Sequence, residues 1–279
     1  MYISELDTPA LTVDLDILER NIAQMAALCQ NLDIPLRPHT KTHKVPQIAQ
    51  MQIKAGARGI TCQKVGEAEA MGAVGIDDIL IPYNIVGKPK LKRLMQLARQ
   101  ATITVAIDSE ITARGLSEQA RKDSVTVQIV VEMDTGSKRC GVQSPQAVLA
   151  LAQTIVDLPC LDFQGVMTYP SRLEAKPFID ETLELLQRDS ISVSMVSGGG
   201  TGNEAHSKQI GCTETRSGSY IYEGMRRVGP ETVNPETCAL RMIVTVVSTP
   251  VANRIIIDGG MKTFTSYPPI PYGYIIEQP

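Results

Sequence analysis

The sequence lacks the features that mark several broad classes of protein. No apolar run approaches the roughly 18 residues of a membrane-spanning helix. The first ten residues, MYISELDTPA, have neither the basic region nor the apolar core of a secretory signal peptide. The formal net charge is only -3, and no long basic run is available to attract nucleic acid or an acidic membrane. We therefore expect a cytoplasmic protein whose partner is a small molecule rather than nucleic acid or a membrane.

Cysteine and histidine are also sparse. The six cysteines form no C-x-x-C pair, which indicates reduced thiols rather than a disulfide framework or a zinc knuckle. Of only three histidines, two lie on either side of Lys41 in the octet RPHTKTHK, residues 37–44. The position of this octet in the fold decides what His39 and His43 do there.

The hydrophobic pattern predicts a parallel barrel. Short β-branched runs alternate with segments of helical period, which is typical of βα units. The predicted strands are 35–39, 59–63, 78–83, 103–108, 125–133, 162–169, 192–198 and 215–222, and helical segments include 45–56, 88–100, 144–157 and 178–189. Eight strand and helix units indicate an α/β fold, a TIM-type (β/α)8 barrel over residues 9–231. A doubly wound open sheet is the competing fold.

The pattern changes near residue 232. Residues 238–250 and 254–264 are strand-like with no helix between them. We therefore predict that residues 232–279 begin a β-rich C-terminal domain, together with an N-terminal strand within residues 1–15. Because the sequence ends on PYGYIIEQP with no return strand, we expect this domain to be incomplete and the chain to be cut short.

The octet falls at the C-terminal end of the first predicted strand, where barrel enzymes carry their chemistry. A lysine among basic neighbours at such a strand end is able to act as a nucleophilic amine and form a Schiff base. A solvated basic turn is the plainer interpretation of Lys41. A third interpretation is that His39 and His43 bind a metal. Their i, i+4 spacing aligns side chains only on a helix, and Pro38 disfavours a helix here.

Two glycine-containing loops predict a phosphate site. The segment VSGGGTGN, residues 196–203, leaves the seventh strand, and RSGSY, residues 216–220, lies one unit later. Glycine frees the backbone to direct N–H groups at an anion, and barrels commonly bind phosphate after strands seven and eight. A tight turn is the alternative for the first loop alone. The predicted phosphate ligands are Gly199, Gly200, Thr201, Gly218 and Ser219.

A third segment, EMDTGSKRCGV, ends the fifth strand and carries Arg139. An arginine in this position is able to hold a phenolate oxygen by a charge-assisted hydrogen bond. From this residue alone a surface arginine is the favoured interpretation.

Together with DTPALTVDLDILERNIAQM and CQKVGEAEAM, these segments resemble the D-threonine aldolase and eukaryotic-type D-serine dehydratase family, in order from about residue 7 to residue 276. That family has the alanine-racemase-like fold of pyridoxal-phosphate enzymes, a barrel followed by a β-domain. The resemblance implies pyridoxal 5'-phosphate as the cofactor, Lys41 as its Schiff-base residue, a D-amino acid as the substrate and a homodimer.

The resemblance also implies further site residues. Gln63 and Arg139 would lie near the ring oxygen of the cofactor, and Arg216 would face the pyridine nitrogen, as an arginine does in alanine racemases. We expect His43 to share the catalytic work with Lys41. The remaining expected cofactor contacts are His39, Tyr169 and Tyr220. A core or rim tyrosine is the alternative for Tyr169.

The implied reaction is retro-aldol cleavage of a D-3-hydroxy amino acid into glycine and an aldehyde, with the cofactor as electron sink. A D-serine dehydratase-like ammonia-lyase is the alternative, and a non-catalytic pyridoxal-phosphate binding protein is the alternative of another class. A racemase would need a second base, for which Tyr272 and Tyr274 cannot be assigned from sequence. Family members hold a divalent metal with a His-x-Asp or His-x-Cys pair, and this sequence contains neither, so we predict no metal ligands in it.

Overall fold

The computed structural model of the protein describes residues 2–223, 235–260 and 262–263. The chain divides into two compact units, one of residues 24–218 and the other of residues 1–23 with 219–279. The predicted boundary between residues 231 and 232 lies outside the described residues, as do Tyr272 and Tyr274.

Strands and helices alternate through most of the described chain. The strands are β1 (Ala10–Val13), β2 (Ile60–Thr61), β3 (Asp78–Ile81), β4 (Thr102–Ile107), β5 (Val127–Met133), β6 (Leu161–Thr168), β7 (Met195–Gly198), β8 (Glu214–Thr215), β9 (Leu240–Ile243), β10 (Val246–Val251) and β11 (Arg254–Ile257). The α-helices are α1 (Leu15–Asn31), α2 (Pro46–Lys54), α3 (Val65–Gly72), α4 (Lys88–Ala98), α5 (Glu110–Asp123), α6 (Pro145–Asp157), α7 (Lys176–Arg188) and α8 (Glu204–Gln209). Among these helices of the described chain, none is long and apolar enough to cross a membrane.

The larger unit is the predicted barrel. Strands β2 to β8 form one parallel sheet in sequence order. The predicted first strand, 35–39, is reduced to single bridges, with Leu36 beside Thr215 and His39 beside Thr61. These bridges join the last strand to β2 and close the ring, so the barrel is confirmed and the open sheet is wrong. Pro38 lacks an N–H donor, which explains why the first strand makes no regular ladder.

The middle of the barrel is filled by one apolar side chain from each of five successive strands, β3 to β7. These residues are Leu80, Ala106, Val130, Met167 and Met195, and all are buried. The strand register places Ala106 directly opposite Val130. The helices cover the outer face, as α4 does with buried leucines and Met95. The barrel is therefore a packed core, and its polar chemistry is confined to its two ends.

Charged side chains close the barrel at the amino ends of its strands. Arg37 is 1% exposed and donates to Glu214 Oε2 at 2.9 Å and to the carboxylate of Asp78 at 2.5 and 3.0 Å. Asp78 and Glu214 are the first residues of β3 and β8. A buried charge is tolerated only when it is paired and hydrogen-bonded, and here both of its partners are carboxylates.

The smaller unit contains two antiparallel strand pairs. β1 pairs with β9, with Ala10 opposite Ile243 and Val13 opposite Leu240, and β10 pairs with β11. Strands β9 and β11 fall within the segments 238–250 and 254–264 that were predicted to be strand-like, and β10 begins in the first of them and ends one residue beyond it, at Val251. The pairing of β1 with β9 brings residues from the two ends of the sequence into one sheet.

Replacing Glu214 tests the charge cluster. In Glu214→Leu the Arg37 guanidinium loses its fully buried partner, so we expect the free energy of unfolding to fall by about 3–5 kcal/mol, measured by urea denaturation. Asp33→Asn is the matched control, because its carboxylate pairs with Lys208 while the side chain is 96% exposed. The control should change stability by less than about 1 kcal/mol. Equal, small effects of both substitutions would contradict the argument.

Candidate active site

The predicted site residues of the larger unit follow different strands but gather at one end of the barrel. Parallel strands bring all their carboxyl ends to the same rim. Lys41 follows the first, irregular strand, Gln63 follows β2, Arg139 follows β5 and Tyr169 follows β6. The loop 199–201 follows β7, and Arg216 and Gly218 follow β8. Ser219 and Tyr220 begin the next segment, a short 3-10 turn from Ser219 to Ile221, which belongs to the smaller unit.

Two cationic side chains converge on the ring of Tyr169. Lys41 Nζ lies 6.0 Å from the ring centroid, and the guanidinium carbon of Arg139 lies 5.1 Å from the same centroid. These distances are within the range of cation–π contacts. Tyr169 is 37% exposed, so it is a rim residue rather than a core tyrosine.

The surroundings of Lys41 make its amine easier to deprotonate. Partial burial of the side chain lowers the pKa of Lys41, the charges of Arg139 and Arg216 lower it further, and the carboxylate of Glu67 opposes them. A lowered pKa raises the fraction of neutral, nucleophilic amine at neutral pH. The side chain is still exposed at the rim, so the amine remains accessible to a ligand.

Arg139 is held in place by a buried carboxylate. Its Nη2 donates to Glu132 Oε1 at 3.1 Å. Glu132 is 2% exposed, and its Oε2 has no hydrogen-bond partner in the described part of the chain. The carboxylate of Asp134 accepts from the backbone N–H groups of Gly136 and Lys138, each at 3.0 Å, which folds the loop so that Arg139 reaches back to the strand. Sequence reasoning missed Glu132, although an acidic residue within the apolar run VQIVVEM was a signal.

The two histidines of the octet contact different parts of the structure. His39 is buried, accepts the backbone N–H of Lys41 at Nδ1 (3.4 Å) and contacts Gln63 Oε1 through Nε2 (3.3 Å). His43 Nδ1 accepts the backbone N–H of Val45 at 3.0 Å, at the start of helix α2. Their hydrogen bonds lead to different elements, which gives no support to the interpretation of His39 and His43 as a metal-binding pair. In the described ranges no three His, Cys, Asp or Glu residues form a group that could hold a metal.

Both of these histidines are neutral at physiological pH. Burial, assisted by the charges of Lys41 and Arg216, lowers the pKa of His39 to about 3. Burial lowers the pKa of His43 to about 4, and hydrogen bonds to Gln52 and the Val45 backbone oppose this change. The contacts of His43 with Val45 and Gln52 support a structural role beside helix α2.

The glycine-rich loop is shaped by its own hydrogen bonds. Gly199 N–H donates to Ser171 Oγ at 2.8 Å, so this amide supports the loop rather than facing an anion. Gly200 has a φ of +113°, and a Cβ there would lie 2.8 Å from Asn203 Nδ2. Gly218 N–H donates to Thr201 Oγ1 at 3.1 Å, which connects the loop after β8 to the loop after β7. The two loops predicted to bind phosphate are therefore adjacent.

A buried carboxylate that the sequence did not point to also joins these loops. Glu204 Oε1 accepts the hydroxyl of Ser217 at 2.6 Å, and its two oxygens accept the N–H of Gly202 at 3.0 and 3.1 Å. Ser217 lies after β8 and Gly202 after β7. Glu204 therefore fixes the distance between the two halves of the candidate anion site.

Arg216 is buried and its guanidinium is anchored on two sides. Nη1 donates to Ser197 Oγ at 2.5 Å and Nη2 donates to the Thr168 carbonyl at 2.8 Å. Ser197 Oγ in turn donates to Glu214 Oε1 at 2.5 Å. Arg216 therefore stands at the site end of a hydrogen-bond chain that begins at the opposite end of the barrel.

Removing Arg139 tests the electrostatic argument. Arg139→Met removes a positive charge that lowers the pKa of Lys41, so we expect this pKa to rise and the neutral amine fraction at neutral pH to fall. The measurement is an NMR pH titration of the reductively 13C-methylated protein, with Lys41→Arg to assign the signal. Arg114→Met, which removes an exposed guanidinium paired with Glu110, is the control and should leave the titration unchanged. A lower or unchanged pKa in Arg139→Met would contradict the argument.

Comparison with known proteins agrees with this geometry. Residues 13–225 match the family described as alanine racemase, N-terminal domain. The chain is 36% identical to a D-threonine aldolase from Arthrobacter sp, over 97% of this chain and 76% of that protein. It is 31% identical to a D-threo-3-hydroxyaspartate dehydratase from Delftia sp. (strain HT23), over 87% of this chain and 68% of that protein.

The fold of a solved relative agrees as well. The crystal structure of D-threonine aldolase from Filomicrobium marinum superposes with a TM-score of 0.86 at 31% identity, and the match covers 93% of this chain and 75% of that one. The chain therefore belongs to the alanine racemase N-terminal domain family, in the group that contains the D-threonine aldolases and D-threo-3-hydroxyaspartate dehydratases.

Proposed function

We propose that the protein is a pyridoxal-phosphate-dependent lyase that cleaves D-3-hydroxy amino acids, with Lys41 as the residue that binds the cofactor. The observation that carries this proposal is the position of Lys41. Its amine stands at the barrel rim beside Tyr169 and Arg139, and the surroundings lower its pKa. This is the environment in which a lysine reacts with an aldehyde.

The residues at the rim fit the chemical groups of pyridoxal phosphate. Its aldehyde requires a partly neutral amine, which Lys41 supplies, and its phenolate requires cationic or N–H donors, which Arg139 and Gln63 supply. Its phosphate suits the adjacent loops after β7 and β8, where glycines keep side chains out and the Thr201 hydroxyl meets the Gly218 N–H. The residues that we propose to contact the cofactor are His39, Lys41, Gln63, Arg139, Tyr169, Gly199, Gly200, Thr201, Arg216, Gly218, Ser219 and Tyr220.

When bound, the cofactor supplies an electron sink for the bond that breaks at the substrate Cα. The chain supplies orientation and charge around that bond. Lys41 would hold the cofactor and is also the amine best placed to carry a proton. Arg139, fixed by Glu132 and by the face of the Tyr169 ring, brings a permanent positive charge to the same side of the site. Arg216, anchored by Ser197 and Thr168, brings a second, buried positive charge.

His43 was proposed as a second catalytic residue, and its contacts give that role little support. Its Nδ1 is occupied by the Val45 N–H, and Gln52 lies beside the ring. We therefore assign proton transfer to Lys41 first and keep His43 only as a secondary candidate.

The divalent metal expected from the family does not fit the residues present. The sequence has no His-x-Asp or His-x-Cys pair, and the described residues contain no metal-binding group. We therefore assign no step to a metal, and divalent ions enter only as a variable of the experiment.

We also propose that the protein is a homodimer in the cytoplasm, with residues 9–231 as the cofactor-binding barrel and residues 232–279 as the start of a β-rich domain.

Dehydration is the second candidate reaction, favoured by the 31% identity to a dehydratase. It leads to a 2-oxo acid and ammonia rather than to an aldehyde and glycine.

Product analysis tests the proposed reaction. We expect the cofactor-loaded protein to convert D-threonine, but not L-threonine, into glycine and acetaldehyde, followed by NMR with and without added Mg²⁺, Mn²⁺ or Zn²⁺. Lys41→Arg should lower the rate by at least about 100-fold, while Lys44→Arg is the matched control and should not. Ammonia and 2-oxobutanoate would establish the dehydratase instead. No turnover of D-threonine, D-serine or D-3-hydroxyaspartate under any of these conditions would contradict the proposal.

A further inference from the structure

His39 lies beneath the candidate site and is fixed from several sides. It is 7% exposed, and its backbone N–H donates to the Ser217 carbonyl at 3.0 Å. A Cβ on Gly218 would lie 2.8 Å from the His39 carbonyl oxygen and 3.0 Å from its Cβ. Its ring lies at the backbone N–H of Lys41 through Nδ1 and at Gln63 Oε1 through Nε2, and the Thr61 backbone is a further hydrogen-bond partner of the ring. The ring therefore contacts two residues at the rim of the site at once.

These two contacts determine the tautomer of the ring. A backbone N–H only donates, so His39 Nδ1 must accept from Lys41 and cannot carry a proton. Burial and the nearby charges of Lys41 and Arg216 keep the ring neutral, with a pKa of about 3. The single ring proton is therefore on Nε2, which donates to Gln63 Oε1 at 3.3 Å.

The tautomer in turn determines the orientation of Gln63. An amide side chain has an acceptor oxygen and a donor NH2, and it reverses its chemical character when it is turned by a half rotation. Because Nε2–H takes the oxygen, the NH2 group points away from His39. The backbone N–H of Gln63 is held separately by Glu67 Oε2 at 2.8 Å, so the residue is fixed at its main chain as well. On that side the NH2 group is able to donate to a ligand oxygen.

We propose that His39 is a positioning residue whose Nε2–H tautomer orients Gln63, so that the Gln63 amide presents its NH2 group as a donor to an anionic oxygen of the ligand. The identity of that oxygen, the ring oxygen of pyridoxal phosphate, rests on the proposed function. The orientation itself does not, because it follows from the contacts of His39 within the protein. The same ring also holds the backbone of Lys41, so one side chain sets two groups at the rim.

The tautomer is directly measurable because the sequence contains only three histidines. In the 15N-histidine-labelled, cofactor-free protein, we expect the His39 signals to show a protonated Nε2 and a bare Nδ1, unchanged from about pH 5 to about pH 9. His39→Asn, His43→Asn and His206→Asn assign the three rings. Gln63→Leu should shift the Nε2 signal of His39 and leave that of His43 in place. A protonated Nδ1, or titration of His39 near the ordinary histidine pKa, would overturn the proposal.

Two substitutions separate the two contacts of the ring. His39→Asn retains an acceptor near the position of Nδ1 but loses the Nε2–H donor, whereas His39→Gln retains a donor near the position of Nε2. We expect His39→Asn to weaken cofactor binding by about 10-fold to 100-fold, as Gln63→Leu should, because each removes or misdirects one hydrogen bond to a charged group. His39→Gln should stay within about threefold of the unmodified protein. Affinity for pyridoxal phosphate is measured by equilibrium dialysis, and folding by thermal denaturation.

The double variant decides whether His39 acts through Gln63. If it does, His39→Asn combined with Gln63→Leu should bind the cofactor no more weakly than either single variant. Additive losses, or a His39→Asn variant with unchanged affinity, would overturn the proposal. If the unmodified protein binds no pyridoxal phosphate, the proposed function fails, and the tautomer measurement on the cofactor-free protein still decides the role of His39.

Discussion

Charge buried inside the barrel is the constraint on which the rest of the structure depends. A chain of hydrogen bonds runs from Asp78 through Arg37, Glu214 and Ser197 to Arg216. Each charged member is satisfied only because the barrel closes and brings distant strands together, since Arg37 and Glu214 are 177 positions apart in the sequence. Breaking such a buried pair is costly. The hydrogen bonds that anchor Arg216 at the site therefore depend on the closure of the barrel.

The same balance of charge operates at the rim. Burial lowers the pKa of Lys41, and the charges of Arg139 and Arg216 lower it further, while Glu67 opposes this change. Glu132 holds Arg139 in place. If all the neighbouring charges were positive, they would disfavour the protonated form of the lysine. If all were carboxylates, they would keep the lysine protonated. The arrangement places an amine with a lowered pKa near two fixed positive charges, which suits the proposed ligand with its aldehyde, phenolate and phosphate.

The periodic parts of the fold could be predicted from the sequence. Alternating apolar runs located β3 to β7, because each strand is a buried apolar segment followed by a helix. The first strand was placed correctly, but Pro38 reduces it to single bridges, and a pattern of hydrophobic residues carries no information on that loss. The rim positions of Lys41, Arg139 and the glycine loop followed from the rule that parallel strands present their carboxyl ends together.

What the sequence could not show were contacts that depend on the path of the backbone. Glu204 and Glu132 act through residues that only the closed barrel brings near, such as Ser217 and Arg139. The short turn 40–42 sends His39 and His43 to different elements, although their spacing in the octet suggested a pair. The bonding of Gly199 N–H to Ser171 likewise depends on a neighbouring loop.

The central claim is that the lysine between the two histidines of the octet carries the cofactor. It is tested most directly by borohydride reduction of the protein loaded with pyridoxal phosphate, followed by proteolysis and mass-spectrometric mapping of the pyridoxyl group. A single label on Lys41 is the result expected from its position at the rim and its lowered pKa. A label on Lys44 or Lys64 with Lys41 unmodified would contradict the claim.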